Sequence, residues 1–352
     1  MYKKIYSLMA ALLLTTILLT GCETAPPISI SDPASSTKVT PGTPVSDNKA
    51  STSTSQDSPE GSTEINEVDD GNNSQSQQAG SRDSAPLCLV PEATGAKTDG
   101  NDLVTIDYSN FTEGYIMINY LGSSPKVKFQ ITGPNQVTYT YNLKNGYDAF
   151  PIVSGDGDYS VSVCENISGN KYSIVFAATY TFTGVDEFKP YLYPNQYVNF
   201  DASKETIAKG QELSKPCNTD LEVVTNVYNY MISKITYDYE KAETVASGYI
   251  SDVDEILRSG TGICLDYAAV MTSMLRSQRI PTRLEVGYVG VDMVYHAWIS
   301  VYIEEIGWLN GIIQFNGNEW ELVDPTFGAS TDEKKLKDYI GDGTNYSVKY
   351  IY

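Results

Sequence analysis

The order of apolar and polar positions divides the 352-residue chain into four stretches. An apolar run from Leu8 to Leu19 is followed by polar residues up to about residue 85. Residues 86–185 hold short alternating segments, such as GYIMINYL, KVKFQIT and YSVSVCE, which predict an antiparallel β-sandwich. Residues 186–352 first carry apolar side chains at helical spacing and then strand-like segments, which predicts a helix-then-sheet α+β domain.

Two helices are specific enough to give boundaries. In TDLEVVTNVYNYMISKI, Thr219 or Asp220 has the side chain of an N-cap. The second helix begins at Cys264 in CLDYAAVMTSMLRSQRI, and Pro281 ends it. One face of this helix is apolar and contains Ala268, Met271, Met274 and Leu275. The later segments RLEVGYVG, YHAWISVYI and EWELVDPTF are then predicted to be strands.

The beginning of the chain has the pattern of an export signal. Lys3 and Lys4 precede the apolar run, which is too short to span a bilayer comfortably and ends in Leu-Thr-Gly-Cys22. This ending resembles the lipobox of bacterial lipoproteins, which implies that residues 1–21 are a signal peptide and that Cys22 is lipidated. The alternative is an ordinary secretory signal followed by a chance cysteine. Lipidation would hold the protein outside the cytoplasm, on the outer face of the cell membrane.

Residues 22–85 are dominated by Ser, Thr, Pro, Asp, Asn and Gln. Such a stretch buries too little apolar surface to offset its conformational entropy, so we expect a disordered tether. A formal net charge of −20 disfavours nucleic acid as a partner. The sandwich is predicted to act as a spacer, with binding of cell-wall glycan as the alternative.

The five cysteines lack the paired spacing of a structural zinc site. Cys88 and Cys164 bracket the predicted sandwich, and an extracytoplasmic compartment permits a disulfide between them. Cys217 then has no obvious partner. For these three cysteines a buried free thiol remains as good an interpretation as a bridge.

Three short motifs in the last stretch carry side chains suited to nucleophilic catalysis. They are GICLDYA with Cys264, HAW with His296, which is the only histidine, and WELVDP with Asp324. A free cysteine is only a few per cent thiolate at neutral pH, and the partial positive charge at a helix N-terminus favours that form. The backbone N–H groups of Cys264 and Leu265, in the first turn, are candidate oxyanion donors.

His296 opens a predicted strand on the face that also carries Trp298 and Ser300. Asp324 ends what we take to be a neighbouring strand, from which its carboxylate would fix the imidazole tautomer. Each residue alone has a simpler interpretation: a small buried thiol, an ordinary buried histidine, and a turn-forming aspartate before proline.

Together and in this order, the motifs resemble the catalytic core of the transglutaminase-like superfamily, whose fold is related to that of papain-like proteases. The segment Ile280-Pro281-Thr282-Arg283 adds to the resemblance, which covers roughly residues 205–330. The resemblance implies that Cys264 attacks a carbonyl to form a thioester, His296 moves the proton and Asp324 orients the ring. It also implies that an upstream side chain, Tyr237 or Tyr239, helps to stabilise the oxyanion. No acidic cluster resembles a calcium site, so we expect neither a metal nor another cofactor.

These features favour a surface-anchored enzyme of thiol acyl transfer that acts on protein or peptide amides, such as cell-wall peptides. Hydrolysis is favoured over cross-linking, although no motif reports the fate of the thioester. The alternative from another class is a non-catalytic adhesion or scaffold lipoprotein that keeps a relic triad and binds through its sandwich.

Overall fold

The computed structural model describes residues 79–289, 293–310, 313–315, 320–322 and 346–352. Cys22, the signal segment and Asp324 lie outside these residues, as does all but the end of the predicted tether. The described residues all belong to one compact unit. None of the helices within these ranges is long and apolar enough to cross a membrane.

The first half of the described chain is the predicted pair of antiparallel sheets. One sheet has the order β1-β2-β3-β6 and the other β5-β4-β7-β8, with every neighbouring pair antiparallel. The strands are β1 Thr98–Gly100, β2 Val104–Asp107, β3 Tyr115–Tyr120, β4 Val127–Thr132, β5 Thr138–Leu143, β6 Gly146–Pro151, β7 Gly157–Ser168 and β8 Lys171–Phe182. The mixed fold with antiparallel sheets is therefore confirmed.

Period-two alternation explains how the two sheets form a common core. In β4, Val127, Phe129 and Ile131 are buried, while the residues between them are partly exposed. Phe129 belongs to one sheet and Phe150 to the other, and their ring centroids lie 4.6 Å apart. The apolar faces of the sheets thus pack directly on each other.

The second half begins with helices whose ends follow the predicted caps. The helices are α1 Glu205–Ser214, α2 Asp220–Lys234, α3 Tyr239–Thr244, α4 Val253–Ser259 and α5 Cys264–Ser277. Thr219 is the N-cap of α2, and its hydroxyl accepts a hydrogen bond from the N–H of Glu222. The α5 helix begins at Cys264 and ends before Pro281, as predicted. Two 3-10 helices, Phe111–Glu113 and Lys189–Tyr191, precede these five.

An antiparallel sheet of order β13-β12-β11-β16 lies against α5. The remaining strands are β9 Thr236–Tyr237, β10 Thr261–Gly262, β11 Thr282–Val289, β12 Val294–Ile303, β13 Gly307–Asn310, β14 Ile313–Phe315, β15 Trp320–Leu322 and β16 Tyr346–Ile351. The β15 strand, which leads to Asp324, pairs with β14 rather than with β12. On the side of β12 away from β11, the strand found next to the histidine strand is β13, because the chain turns back at once after Ile303 and pairs there.

The sandwich and the helical half share one continuous cluster of buried residues. The ring of Tyr352, at the end of the chain, lies 5.8 Å from that of Tyr139 in β5 and 6.1 Å from that of Tyr141. The buried guanidinium of Arg276 donates to the carbonyl oxygens of Tyr352 and Thr282, at 2.7 and 2.9 Å. Packing and hydrogen bonds therefore tie the last strand to both halves.

The end of the predicted tether packs against the helices. The N–H of Gly80 donates to the carbonyl of Lys215, and the guanidinium of Arg82 pairs with Asp220 at 2.5 Å. Residues 80–82 are thus part of the packed structure.

No disulfide joins any two of the four cysteines in the described part of the chain. Cys164 and Cys217 are buried, and Cys88 is partly buried. The bridge considered between Cys88 and Cys164 is therefore not formed. Cys164 lies within β7 directly after Val163, where the pairing with β8 shifts register, and its buried thiol lies 3.9 Å from the hydroxyl of Ser162.

Candidate active site

Cys264 is the first residue of α5, and only 2% of its surface is exposed. The segment that leads to it is held in place by β9. The N–H of Thr236 donates to the carbonyl of Gly260, and the N–H of Asp238 donates to that of Gly262. The candidate nucleophile therefore stands at a fixed strand-to-helix turn, where the helix N-terminus presents its partial positive charge.

Asp266 forms the hydrogen-bonded centre of this turn and is fully buried. Its carboxylate accepts a hydrogen bond of 3.0 Å from the N–H of Ile263, the residue directly before Cys264, and this bond caps α5. It also accepts from Lys241 at 2.7 Å, from Tyr249 at 2.8 Å and from Ser251 at 2.6 Å. Four donors thus compensate one buried charge, as burial of a carboxylate requires.

The electrostatics of this group follow from the same contacts. Burial opposes the charged form of Lys241, but its hydrogen bonds with Asp266 and Tyr249 prevail and raise the pKa of the ammonium group. Burial likewise raises the pKa of Tyr249, so its hydroxyl remains a donor to the carboxylate. Sequence patterns did not point to this cluster, although Asp266 is the single acidic residue of α5 and is a signal for that reason.

Gly262 is needed next to Asp266 because there is no room for a side chain. A Cβ atom at this position would lie 2.8 Å from the Cβ of Asp266 and 3.3 Å from one of its carboxylate oxygens. Any larger residue would therefore push the carboxylate away from the N–H of Ile263.

The oxyanion candidates differ in position. The N–H groups of Asp266 and Tyr267 donate to the carbonyl of Ile263 and are the first that bond within the helix. The N–H groups of Cys264 and Leu265 precede them, in the part of the first turn where N–H groups have no partner within the helix. Tyr237 pairs with Gly262 through the parallel β9 and β10 strands, two residues before the thiol.

Tyr239 is the first residue of α3, and 49% of its surface is exposed. Its ring centroid lies 4.9 Å from that of Tyr237. Of these two tyrosines, Tyr237 is the one on the strand beside the nucleophile turn.

His296 lies near the start of β12, opposite Gly287 of β11, and is 4% exposed. Since α5 packs on both strands, the cysteine helix and the histidine strand are neighbours. Burial raises the pKa of the adjacent Tyr295, and charges nearby, including that of Cys264, add to the rise. Cys264 therefore lies within electrostatic range of the residue that precedes His296.

A second buried carboxyl group lies on the face of the sheet that carries His296. Glu285 of β11 accepts from the indole of Trp298 at 2.7 Å and from the hydroxyl of Ser300 at 2.9 Å. Burial raises the pKa of this carboxyl, although these two hydrogen bonds and Arg283 act against the rise. The Trp298 and His296 rings are nearly parallel, with centroids 6.4 Å apart. Glu285 thus fixes the strand around the histidine.

Comparison with known families agrees with this arrangement. Residues 207–311 match the model of the transglutaminase-like superfamily, and the match contains both Cys264 and His296. Because of this similarity we call residues 207–311 the transglutaminase-like core. Within the core, the nucleophile turn lies near the middle of the matched segment and the histidine strand lies near its end, and the sandwich precedes both.

A curated relative of the chain is distant in sequence. The UPF0252 protein MJ1282 of Methanocaldococcus jannaschii is 29% identical over 91 residues, which is 23% of this chain and 26% of that protein. The chain therefore spans about a quarter of the length of that relative.

Two solved structures share elements of the fold. One is named as a candidate cysteine protease of Cytophaga hutchinsonii and is 15% identical, with a TM-score of 0.31. The match covers 65% of this chain and 78% of the other chain. The other is red sea bream transglutaminase, with 13% identity, coverage of 62% and 48%, and a TM-score of 0.27. At these TM-scores neither resemblance supports a statement about activity.

Proposed function

We propose that the chain is a thiol acyl-transfer enzyme that acts on protein or peptide amides. The observation that carries this proposal is the position of Cys264, at the buried N-terminus of a helix that packs on the strand of His296. A helix N-terminus stabilises a thiolate, and an imidazole on the adjacent strand accepts and returns a proton.

In the proposed reaction, the Cys264 sulfur attacks the amide carbon, and the carbonyl electrons move onto oxygen. The N–H groups of Cys264 and Leu265, with Tyr237 beside them, donate to this oxyanion. When the C–N bond breaks, His296 gives its proton to the leaving amine and a thioester remains. Asp324 has the role of holding the imidazole tautomer.

The thioester then passes its acyl group to water, or to an amine in a cross-linking reaction. We propose hydrolysis as the main outcome, with extracytoplasmic proteins or cell-wall peptides as substrates. Incubation with a peptide amide and a labelled primary amine separates the two outcomes. A new carboxyl group with released amine supports hydrolysis, and incorporated label supports transamidation.

A fluorescent, thiol-reactive peptide amide probe tests whether the protein is an enzyme at all. Labelling should require both Cys264 and His296, and Cys264→Ala and His296→Ala should each abolish it. Cys217→Ala is the matched control, since Cys217 is an equally buried thiol. Folded protein that takes up no label would favour the non-catalytic adhesion or scaffold lipoprotein.

We propose that lipidation of Cys22 anchors this enzyme to the outer face of the membrane. Cys22→Ser should move the protein from the membrane fraction to the medium or leave an unprocessed precursor. Unchanged processing and fractionation would contradict the anchor. Limited proteolysis should cut first within residues 23–78, and the released fragment should keep its activity because it retains the contacts of Gly80 and Arg82 with the helices.

A further inference from the structure

A pocket that is partly open to solvent lies where the sandwich meets the transglutaminase-like core. Neither Cys264 nor His296 lines it, but Leu265, the residue after Cys264, does. Tyr295 also lines it, on the face of β12 opposite to that of His296 and within electrostatic range of Cys264. The pocket therefore adjoins the nucleophile turn.

The sandwich supplies the opposite wall of the pocket. Lys128 of β4 and Asn142 of β5 are cross-strand partners on the outer face of their sheet, and both line the pocket. The side-chain amide of Gln196 donates to the carbonyl of Asn142 at 2.7 Å, and the N–H of Asn142 donates back to Gln196. This wall is thus fixed to the segment that joins the two halves.

The charge of the lining is opposite to that of the whole chain. The chain carries a net charge of −20, yet no aspartate or glutamate lines the pocket, and its one charged lining residue is Lys128. None of the ion pairs formed among the described residues involves Lys128. Its ammonium group lies 5.4 Å from the centroid of the Tyr172 ring, which is not part of the lining. Because no carboxylate of the described residues pairs with it, the ammonium can turn to an anionic ligand.

The rest of the lining favours a ligand with an apolar or planar body. Five tyrosines line the pocket, and they are Tyr197, Tyr249, Tyr295, Tyr350 and Tyr352. Tyrosine offers a rigid apolar ring together with a hydroxyl group, a combination that suits peptide stems and backbone amides.

We propose that this pocket is a substrate subsite that holds a carboxylate-bearing residue of a peptide, with its stem on the tyrosine rings and its carboxylate against Lys128. The inference rests on the proposed function and extends it to the class of substrate. The sandwich then contributes to specificity instead of acting only as a spacer.

Binding of defined peptides to the full mature chain tests the subsite without turnover. The probes are capped hexapeptides of alanine around one central glutamine, in which one flanking alanine is replaced by glutamate or by glutamine. Affinities are measured by calorimetry on protein carrying Cys264→Ala. At one flanking position the glutamate peptide should bind about tenfold more tightly than the glutamine peptide, as expected for a charge-assisted hydrogen bond.

Adding Lys128→Ala should remove this preference, and Lys128→Glu should reverse it. Lys126→Ala is the matched control, because Lys126 is an exposed lysine close to the start of the same strand, outside the pocket. Equal affinity for both peptides at every position, or a preference that survives Lys128→Ala, would overturn the subsite. Since binding is measured without the thiol, a failure here is distinct from a failure of the acyl-transfer proposal.

Discussion

Lys241 donates a hydrogen bond of 2.7 Å to Asp266, whose carboxylate is fully buried two residues after Cys264. The same carboxylate caps the helix that carries the thiol, through the N–H of Ile263. The ion pair thus fixes the turn on which the nucleophile stands, and Asp266 acts on Cys264 through the backbone.

Asp266→Ala should lower both stability and activity. The change leaves Lys241 without its buried partner, and loss of one member of such a pair costs about 3 kcal/mol in the free energy of unfolding. Denaturant unfolding measures this loss. The acylation rate of the remaining folded protein should also fall, by about tenfold or more, because the cap of α5 is gone.

Asp254→Ala is the matched control for Asp266→Ala. Asp254 is also largely buried and accepts two hydrogen bonds of 2.9 Å from Thr206, but it lies in α4. It should lower stability without changing the acylation rate of the folded protein. Equal loss of rate in both variants would mean that Asp266 only stabilises the fold.

Gly262→Ala should impair the nucleophile turn directly. The new methyl group would lie 2.8 Å from the Cβ of Asp266, so the carboxylate must move away from the cap. We expect a loss of about 1–3 kcal/mol in the free energy of unfolding, typical of overpacking, together with slower acylation. Thr261→Ala, at the exposed preceding position, should do neither. Normal acylation by Gly262→Ala would show that the turn tolerates displacement of Asp266.

Glu285 should make stability fall as pH rises. Burial raises the pKa of its carboxyl above the ordinary value of 4.5, so the folded state holds this proton to higher pH than the unfolded state does. The resulting stabilisation is complete below pH 4.5 and is lost as pH rises through the raised pKa.

Glu285→Gln should remove that slope and raise the free energy of unfolding at neutral pH, because an amide oxygen still accepts from Trp298 and Ser300. Unfolding of both proteins across this pH range provides the measurement. A wild-type protein that is the more stable of the two at neutral pH would contradict the prediction.

His296 is the only histidine, so its imidazole signals can be identified in the intact protein by NMR. If its ring contacts Cys264, then Cys264→Ala should shift these signals strongly. Cys164→Ala, which alters a buried thiol within the sandwich, should leave them in place. Unchanged imidazole signals in Cys264→Ala would mean that the two side chains are not in contact.

Local patterns were enough to predict much of the fold. Alternation along β4 predicted the buried and exposed sides of the sandwich correctly, and the segment CLDYAAVMTSMLRSQRI predicted that α5 starts at Cys264. These features depend on a few consecutive residues, for which backbone geometry and burial leave little choice.

Long-range contacts were not predictable in the same way. Lys241, in the short helix α3, and Tyr249, in the loop after it, reach Asp266 from 25 and 17 residues away, and no periodicity marks them. The pairing of β15 with β14 instead of β12 likewise depends on which edge is already occupied by β13. The pocket requires the sandwich to meet the core, which no single segment encodes.

The most direct test of the account is the identity of the acylated residue. The protein is mixed with the p-nitrophenyl ester of a capped peptide, quenched in acid within seconds, and mapped by mass spectrometry. We predict one acyl group, on Cys264, that hydroxylamine removes and that Cys264→Ala abolishes while Cys217→Ala does not. An acyl group on Cys88, Cys164 or Cys217, or none on folded protein, would contradict the central claim.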